Sequence, residues 1–307
     1  MKSVRAAVIQ SSPVVFDKKA TLAKVDRLLG QAARDGAQLA VLPEAFVSAY
    51  PKGLDFGARV GQRSEAGRRQ FRRYWESSID VPGEDCAALG EMAVRHKLHV
   101  VIGVIERDGG TLYCTVLFFA PDGLLLGKHR KVMPTAMERL VWGFGDGSTL
   151  QVFDTALGKI GAAICWENYM PLLRTSMYGQ GVELYCAPTV DDRPSWEPTM
   201  RHIAVEGRCF VLSACQHVMN QDLPTDYGAS FDGAVIRGGS MIVDPFGKVL
   251  AGPVFDEACI LTADLDPNAI LEGKYDLDVT GHYARPDIFR LDVNNRAMPA
   301  VRFEETE

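Results

Sequence analysis

The stretch KIGAAIC, residues 159–165, runs directly into WENYMP, residues 166–171. After Lys159 this run is apolar and rich in Gly and Ala, the composition of a short buried strand. The run then stops, leaving the thiol of Cys165 at the strand's lip and Pro171 to restart the chain. Two other strand-like runs end in the same manner. AQLAVLPE delivers Glu44, and LLLGKHRKVMP delivers Lys131. In α/β sheets, groups at the carboxyl ends of strands converge on the crevice where ligands bind. A thiol, a carboxylate and an ammonium brought together there supply a nucleophile, a base and a positive charge.

Working outward, residues 4–10 read as a first strand. Leu22, Val25, Leu28, Leu29 and Ala32 recur at helical spacing over residues 18–35, and Gly36 ends that run. Residues 84–97 form a second amphipathic helix whose first turn carries carboxylates. LHVVIGVIE, LYCTVLFFA and LLLGKHRKV follow as strands, the last two joined at Pro121-Asp122-Gly123. LQVFDT pairs with the Cys165 strand. A helix at 171–180 leads to ELYCAP, and one at 198–208 leads to CFVLSAC. SMIVDP and KVLAGP form a hairpin around Phe246-Gly247; CILTADL is the last strand, before a short helix near 267–275. This alternation predicts an α/β fold of mixed sheets covered by helices, in one domain over residues 1–281. Residues 282–307 read as a C-terminal tail lying across the surface or a neighbouring subunit. Residues 49–79 and 218–238 read as irregular segments of the kind that form lids or subunit contacts.

Composition narrows the function. Of 307 residues, 47% are hydrophobic and 23% charged, enough to bury a sizeable core. A net charge of −6 argues against a nucleic-acid binder. The basic run GRRQFRR, 67–73, reads as a solvated helix face or subunit contact. No run approaches the ~20 apolar residues of a membrane span, and the N-terminus has no secretory core. The seven cysteines include no CxxC pair and sit mostly in apolar runs, as reduced thiols do. A cytoplasmic protein without metal or cofactor is expected.

Longer words surround the three strand ends: LPEAF, GKHRKVMPTAMERLVWGFGDGS, GAAICWENYMPLLR, then LYCAPT, MRHIAVEGRCFVLSACQ and GHYARPDIFRLDVN. In these the chain closely resembles the nitrilases, the nitrile-hydrolysing branch of the carbon–nitrogen hydrolase superfamily, and most nearly their plant and plant-like bacterial group. The resemblance implies a four-layer α-β-β-α sandwich, with Glu44, Lys131 and Cys165 as catalytic triad and Glu138 as the superfamily's second glutamate. It also implies a small nitrile as substrate and a homo-oligomer, either a dimer or a larger spiral assembly. Cys-Trp-Glu is typical of the nitrilase branch. The segment 217–239 departs from the plant-like pattern in length and composition.

Further residues are candidates. Glu138 either holds Lys131 and orients the substrate nitrogen or forms a plain ion pair. His129, two residues before Lys131, either assists the site or holds a hydrogen bond behind it. Tyr50, Trp166, Thr189 and Trp196 follow strand ends and either line an apolar pocket or pack in the core. The competing functions are an amidase or carbamoylase with the same triad, and an inactive acyl-binding relative. A metal-dependent hydratase needs a compact cysteine cluster, which the dispersed cysteines do not supply.

Overall fold

A computed structural model describes residues 2–301. Two seven-stranded mixed sheets pack face to face, and helices cover their outer surfaces. The first sheet contains β1 (Val4–Gln10), β2 (Leu39–Val41), β3 (Ile79–Asp80), β4 (His99–Asp108), β5 (Thr111–Phe119) and β6 (Leu125–Arg130). The second contains β7 (Val152–Thr155), β8 (Gly158–Ala162), β9 (Leu184–Cys186), β10 (Phe210–Ser213), β11 (His217–Met219), β12 (Ala234–Val243) and β13 (Val249–Phe255). The last strand, β14 (Cys259–Leu265), returns to the first sheet and pairs antiparallel with β1. Parallel pairing joins β1 to β2 and β2 to β4 in one sheet, and β8 to β9 and β9 to β10 in the other.

Strand alternation makes the layers. On β1, Ala6 and Val8 face the second sheet, where they meet a core that includes Ile160, Ala162, Leu184 and Leu212. Their neighbours Ala7 and Ile9 face the opposite way, toward Val25, Leu29, Leu89 and Ala93. These last four lie on α1 (Lys18–Arg34) and α3 (Glu84–His96), between which α2 (Glu65–Ser77) occurs in sequence. The second sheet repeats the plan: Tyr185 and Val211 meet Leu173 and Met177 of α4 (Pro171–Gly179), and Met200 and Ile203 of α5 (Trp196–Gly207). A period of two in each strand thus produces the four-layer α-β-β-α sandwich expected from the resemblance. A sixth helix, α6 (Asn268–Asp276), contributes Ile270 to the inter-sheet core.

The helices start and stop as their termini dictate. Asp17 caps α1 by accepting from the Ala20 amide at 2.9 Å, Glu84 and Asp85 sit in the first turn of α3, and Pro171 opens α4.

Two readings of the sequence change. The segment 49–79 is not irregular throughout, because α2 occupies its second half, capped by Ser64. Arg69, Arg72 and Arg73 stay on the solvated side in ion pairs with Glu65, Glu76 and Asp226, while Tyr74 is buried. Segment 218–238 likewise contains the end of β11, a 3-10 turn at Asn220–Asp222 and the start of β12. From residue 282 to 301 the described chain has no helix or strand and is almost wholly exposed.

Candidate active site

Glu44 lies three residues beyond β2, in a turn held from two sides. Gly103 of β4 lets that turn approach: a Cβ there would overlap Pro43 O and the Glu44 backbone. From the second sheet, the buried Gln216 side chain donates to Glu44 O at 2.7 Å. The next residue, Ala45, adopts a left-handed φ of 50°. Cys165 does the same, with φ 51°. It sits three residues past β8 rather than at the strand's lip, opening a 3-10 turn over Cys165–Tyr169. Left-handed backbone at non-glycine residues is costly and persists where the surroundings enforce it. Here the Cys165 amide is tied to Pro188 O at 2.9 Å, and Asn168 Nδ2 donates to Cys165 O at 2.8 Å.

The charged groups meet at Lys131, immediately after β6. Its Nζ donates to Glu44 Oε1 at 2.7 Å and to Glu138 Oε2 at 2.8 Å. The Trp142 ring stands 5.5 Å away. Glu138 is fixed in turn by the Tyr50 hydroxyl, which donates to Oε1 at 2.8 Å, and by the Thr135 amide at 2.7 Å. One ammonium therefore faces two carboxylates in a buried place. Burial opposes the charge on Lys131, but the Glu44 and Glu138 carboxylates outweigh it and hold its pKa well above the usual lysine value. Burial pushes the Glu44 pKa up, against the pull of Lys131. Burial and the Glu44 charge also push the Cys165 thiol well up, so the resting group is a neutral thiol.

Glu44 divides its two oxygens. Oε1 takes the Lys131 ammonium, while Oε2 is buried with no hydrogen-bond partner among the described residues. Cys165 is among the groups acting on this carboxyl. A buried, unpaired carboxylate oxygen beside a neutral thiol is an acceptor waiting for a proton. The thiol sulfur itself accepts from Thr189 Oγ1 at 3.2 Å.

A cleft of about 430 Å³ opens onto these groups, lined by Tyr50, Glu138, Cys165, Trp166, Val190 and Arg193 among others. Trp166 is aligned at its wall by Asp191, which accepts from Nε1 at 2.8 Å, and by the Arg193 guanidinium 4.4 Å from the ring centroid. Another cleft of equal volume, beside Phe16, Arg69 and Tyr227, contains no cysteine, so we place the candidate chemistry at the first.

Of the sequence candidates, Glu44, Lys131, Cys165, Glu138, Tyr50, Trp166 and Thr189 come together here. Trp196 does not line the cleft. Its indole is buried in the helical layer, donating to Ser213 Oγ at 2.9 Å, as an α5 residue packed on the second sheet must be. His129 does not line the cleft either; it is buried against Glu167, with Nε2 2.9 Å from Oε2. The sequence reading gave Glu167 no role. Its two oxygens also accept from the Val132 and Ile164 amides, at 2.5 and 2.7 Å, and so join the segment after Lys131 to the one before Cys165. The available signal was the third residue of Cys-Trp-Glu, a carboxylate following an apolar strand end.

The chain is similar to known proteins over nearly its whole length. The carbon–nitrogen hydrolase family profile matches residues 5–275. The chain belongs to the carbon–nitrogen hydrolase family. An aliphatic nitrilase from Sinorhizobium fredii is 55% identical over 305 residues, covering 98% of this chain and 99% of the relative. The bifunctional nitrilase/nitrile hydratase NIT4A of Nicotiana tabacum is 53% identical over 313 residues, covering 99% and 90%. Among solved structures, Saccharomyces cerevisiae Nit3, a member of branch 10 of the nitrilase superfamily, superposes with a TM-score of 0.73 at 25% identity, covering 92% of this chain and 97% of Nit3.

Proposed function

We propose that this protein is a nitrilase that converts an organic nitrile to its carboxylic acid and ammonia through a covalent adduct on Cys165. The chemistry rests on one observation: a buried Glu44 whose Oε1 is held by Lys131 and whose Oε2 is unpaired in the site that contains a neutral thiol. The substrate class rests on nitrilase relatives that are 50–55% identical over nearly the whole chain. That level of identity favours a nitrilase over an amidase or carbamoylase.

A nitrile carbon is a weak electrophile, so the sulfur must attack as its proton leaves. Glu44 Oε2 takes the thiol proton, the C–S bond forms, and Glu44 passes the proton to the nitrile nitrogen, giving a thioimidate. A water then adds to the thioimidate carbon, again losing its proton to Glu44. The tetrahedral intermediate carries nitrogen, oxygen and sulfur on one carbon. The Lys131 ammonium and the Trp166 amide, in the first turn after the nucleophile, offset the charge that develops there. Transfer of a proton to nitrogen expels ammonia and leaves a thioester. A second water releases the acid and restores the thiol. Two waters are consumed per nitrile. Glu138, pinned by Tyr50 and the Thr135 amide, keeps the Lys131 ammonium aimed at the reacting carbon.

If the intermediate instead expels sulfur, the product is the amide. Tobacco and lupin relatives at 52–54% identity carry names that include a nitrile hydratase activity, which favours amide as a second product here. The deciding experiment is ammonia release over a panel of aliphatic, arylacetonitrile and cyano-amino-acid substrates, with amide quantified in parallel and Cys165→Ala as control. No ammonia and no amide from any nitrile, together with turnover of amides, would overturn the assignment.

The seven free cysteines favour a reducing, cytoplasmic setting. No described helix is long and apolar enough to cross a membrane. Exposed apolar side chains in the tail, Ile288, Phe289 and Met298 among them, favour a homo-oligomer in which residues from 282 onward meet a neighbour. Light scattering of the full chain against a version ending at 281 tests this.

A further inference from the structure

A second thiol touches the candidate base. Cys114 lies on β5, where alternation directs Leu117 and Phe119 toward the helices but Cys114, Val116 and Phe118 into the inter-sheet core that also holds Cys165. There its Sγ donates to Glu44 Oε1 at 3.6 Å, a length set by the size of sulfur. Its own carbonyl accepts from the Lys131 amide at 2.8 Å. Cys114 thus meets both charged members of the site while lying outside the cleft, buried and away from substrate.

We propose that Cys114 is a positioning residue for the reaction: its thiol, with Lys131, fixes Glu44 Oε1 and so turns Oε2 toward Cys165. Two donors on one oxygen define the rotation of the carboxylate plane; one ammonium alone defines it less. An apolar side chain of similar size would fill the space equally well, so what the thiol adds is the donated hydrogen. Burial and the Glu44 charge push the Cys114 thiol well above its usual pKa, which keeps that hydrogen in place through neutral pH.

The inference rests on Glu44 acting as the base, whatever the substrate. Removing a donor from a carboxylate raises its pKa. The other titratable groups facing Glu44 are Lys131, Glu138, Cys165, Tyr50 and Cys215, and all remain in the variants. The test measures two things on wild type, Cys114→Ala and Cys114→Ser. One is kcat and KM for a nitrile against pH. The other is the rate of Cys165 alkylation by iodoacetamide against pH, read by peptide mass. Alkylation needs thiolate formation and no nitrile, so it tests the inference even if the nitrilase reading fails. Cys114→Ala is expected to lower kcat and the alkylation rate about three- to tenfold, the scale of one weak hydrogen bond to a charged group, with KM little changed. The acid limbs of both profiles should move to higher pH. Serine restores a donor, so Cys114→Ser should recover most of both losses. If Cys114→Ala does not fold, Cys114→Val keeps the volume without the donor and is expected to show the same losses. Alkylation and acid limbs that match wild type in a folded Ala or Val variant, or a Ser variant no better than Ala, would show the thiol to be a space-filler and overturn the proposal.

Discussion

His129 Nε2 and Glu167 Oε2 lie 2.9 Å apart in a place closed to solvent, and neither residue lines the cleft. Each end of this pair reaches a candidate catalytic segment. His129 stands two residues before Lys131, and Glu167 accepts from Ile164 and Val132 on either side of the seam between the two sheets. The pair is therefore a brace between the nucleophile's turn and the ammonium's strand.

Glu167→Gln tests the brace. A carboxylate satisfies both amides and the imidazole; a carboxamide offers one acceptor oxygen, and its NH2 would face a donor. Leaving a buried donor unpaired and uncoupling a buried charge costs on the order of 3 kcal/mol. We expect a clear drop in unfolding free energy by urea titration at pH 7, with a loss in kcat from the displaced turn. The pH dependence follows from the sign of the shift. Burial raises the Glu167 pKa, but His129 and the two amides lower it further, for a net depression. A depressed carboxylate contributes stability above its unfolded value of about 4.3 and loses it as pH falls through the lower folded value. The deficit of Glu167→Gln relative to wild type should therefore be full at pH 7 and shrink under acid conditions. A constant deficit across that window would remove the charge from the explanation.

Cys165→Ala should abolish ammonia release from nitriles while the protein stays folded, since the thiol is a small side chain in a turn held by backbone bonds to Pro188 and Asn168. Cys165→Ser should be nearly as inactive, because a hydroxyl is a much poorer nucleophile at neutral pH. Mass spectrometry of wild-type enzyme quenched in turnover should find a thioimidate or thioester mass on the peptide bearing Cys165. Near-normal turnover by the alanine variant would exclude covalent catalysis at this position.

The pH–rate profile separates a concerted proton transfer from a preformed thiolate. In the proposed mechanism Glu44 must be ionised to accept the thiol proton, and burial raises its pKa. Activity should thus fall with decreasing pH at a midpoint above the ordinary glutamate value of about 4.3, a midpoint that belongs to the coupled set of groups. The Cys165 thiol is pushed far above the usual value. The rate should accordingly stay flat across pH 7–9 and show no rise centred near ~8.5, where an ordinary thiol ionises. Such a rise in kcat/KM would mean that bulk thiolate is the attacking species.

Much of this site is legible in the sequence because three charged or nucleophilic residues follow short apolar runs, and strand ends in α/β sheets converge. Legibility fails where the backbone departs from its usual preferences. Nothing in GAAICWEN says that Cys165 takes a left-handed φ of 51°, which moves it off the strand and into a 3-10 turn. Helix α2 escapes because only Gly67, Tyr74 and Ser77 of its thirteen residues are buried, too few to set an apolar period. Trp196 follows a strand end like Tyr50 and Trp166, which line the cleft, but its partner Ser213 is seventeen positions away and belongs to the core. The Cys114 contact with Glu44 spans 70 residues, and no local pattern encodes it.

In the proposed mechanism Glu44 and Lys131 act as one unit, and their variants should show it. Glu44→Gln keeps shape but removes the base. Lys131→Met keeps length and removes the charge; it also leaves Glu44 and Glu138 without the ammonium between them, so the two carboxyls must share a proton and the base is lost as well. Each single variant should lower kcat by roughly 10²-fold or more, the usual scale for losing a general base or electrostatic stabilisation. Since both losses fall on the same transition state, the double variant should be little slower than the poorer single. Stability should behave differently. Lys131→Met leaves two buried carboxyls without their cation, at roughly 3–5 kcal/mol, whereas Glu44→Gln leaves Lys131 paired with Glu138 and should cost less. Lys131→Arg retains a cation, but its planar fork cannot reproduce two bonds of 2.7 and 2.8 Å made by one nitrogen, so activity should still collapse. The four variants are compared with wild type by kcat on a nitrile and by urea unfolding. Multiplicative losses in kcat would mean that Glu44 and Lys131 serve separate steps, and wild-type kcat in Glu44→Gln would make Glu44 a structural carboxylate.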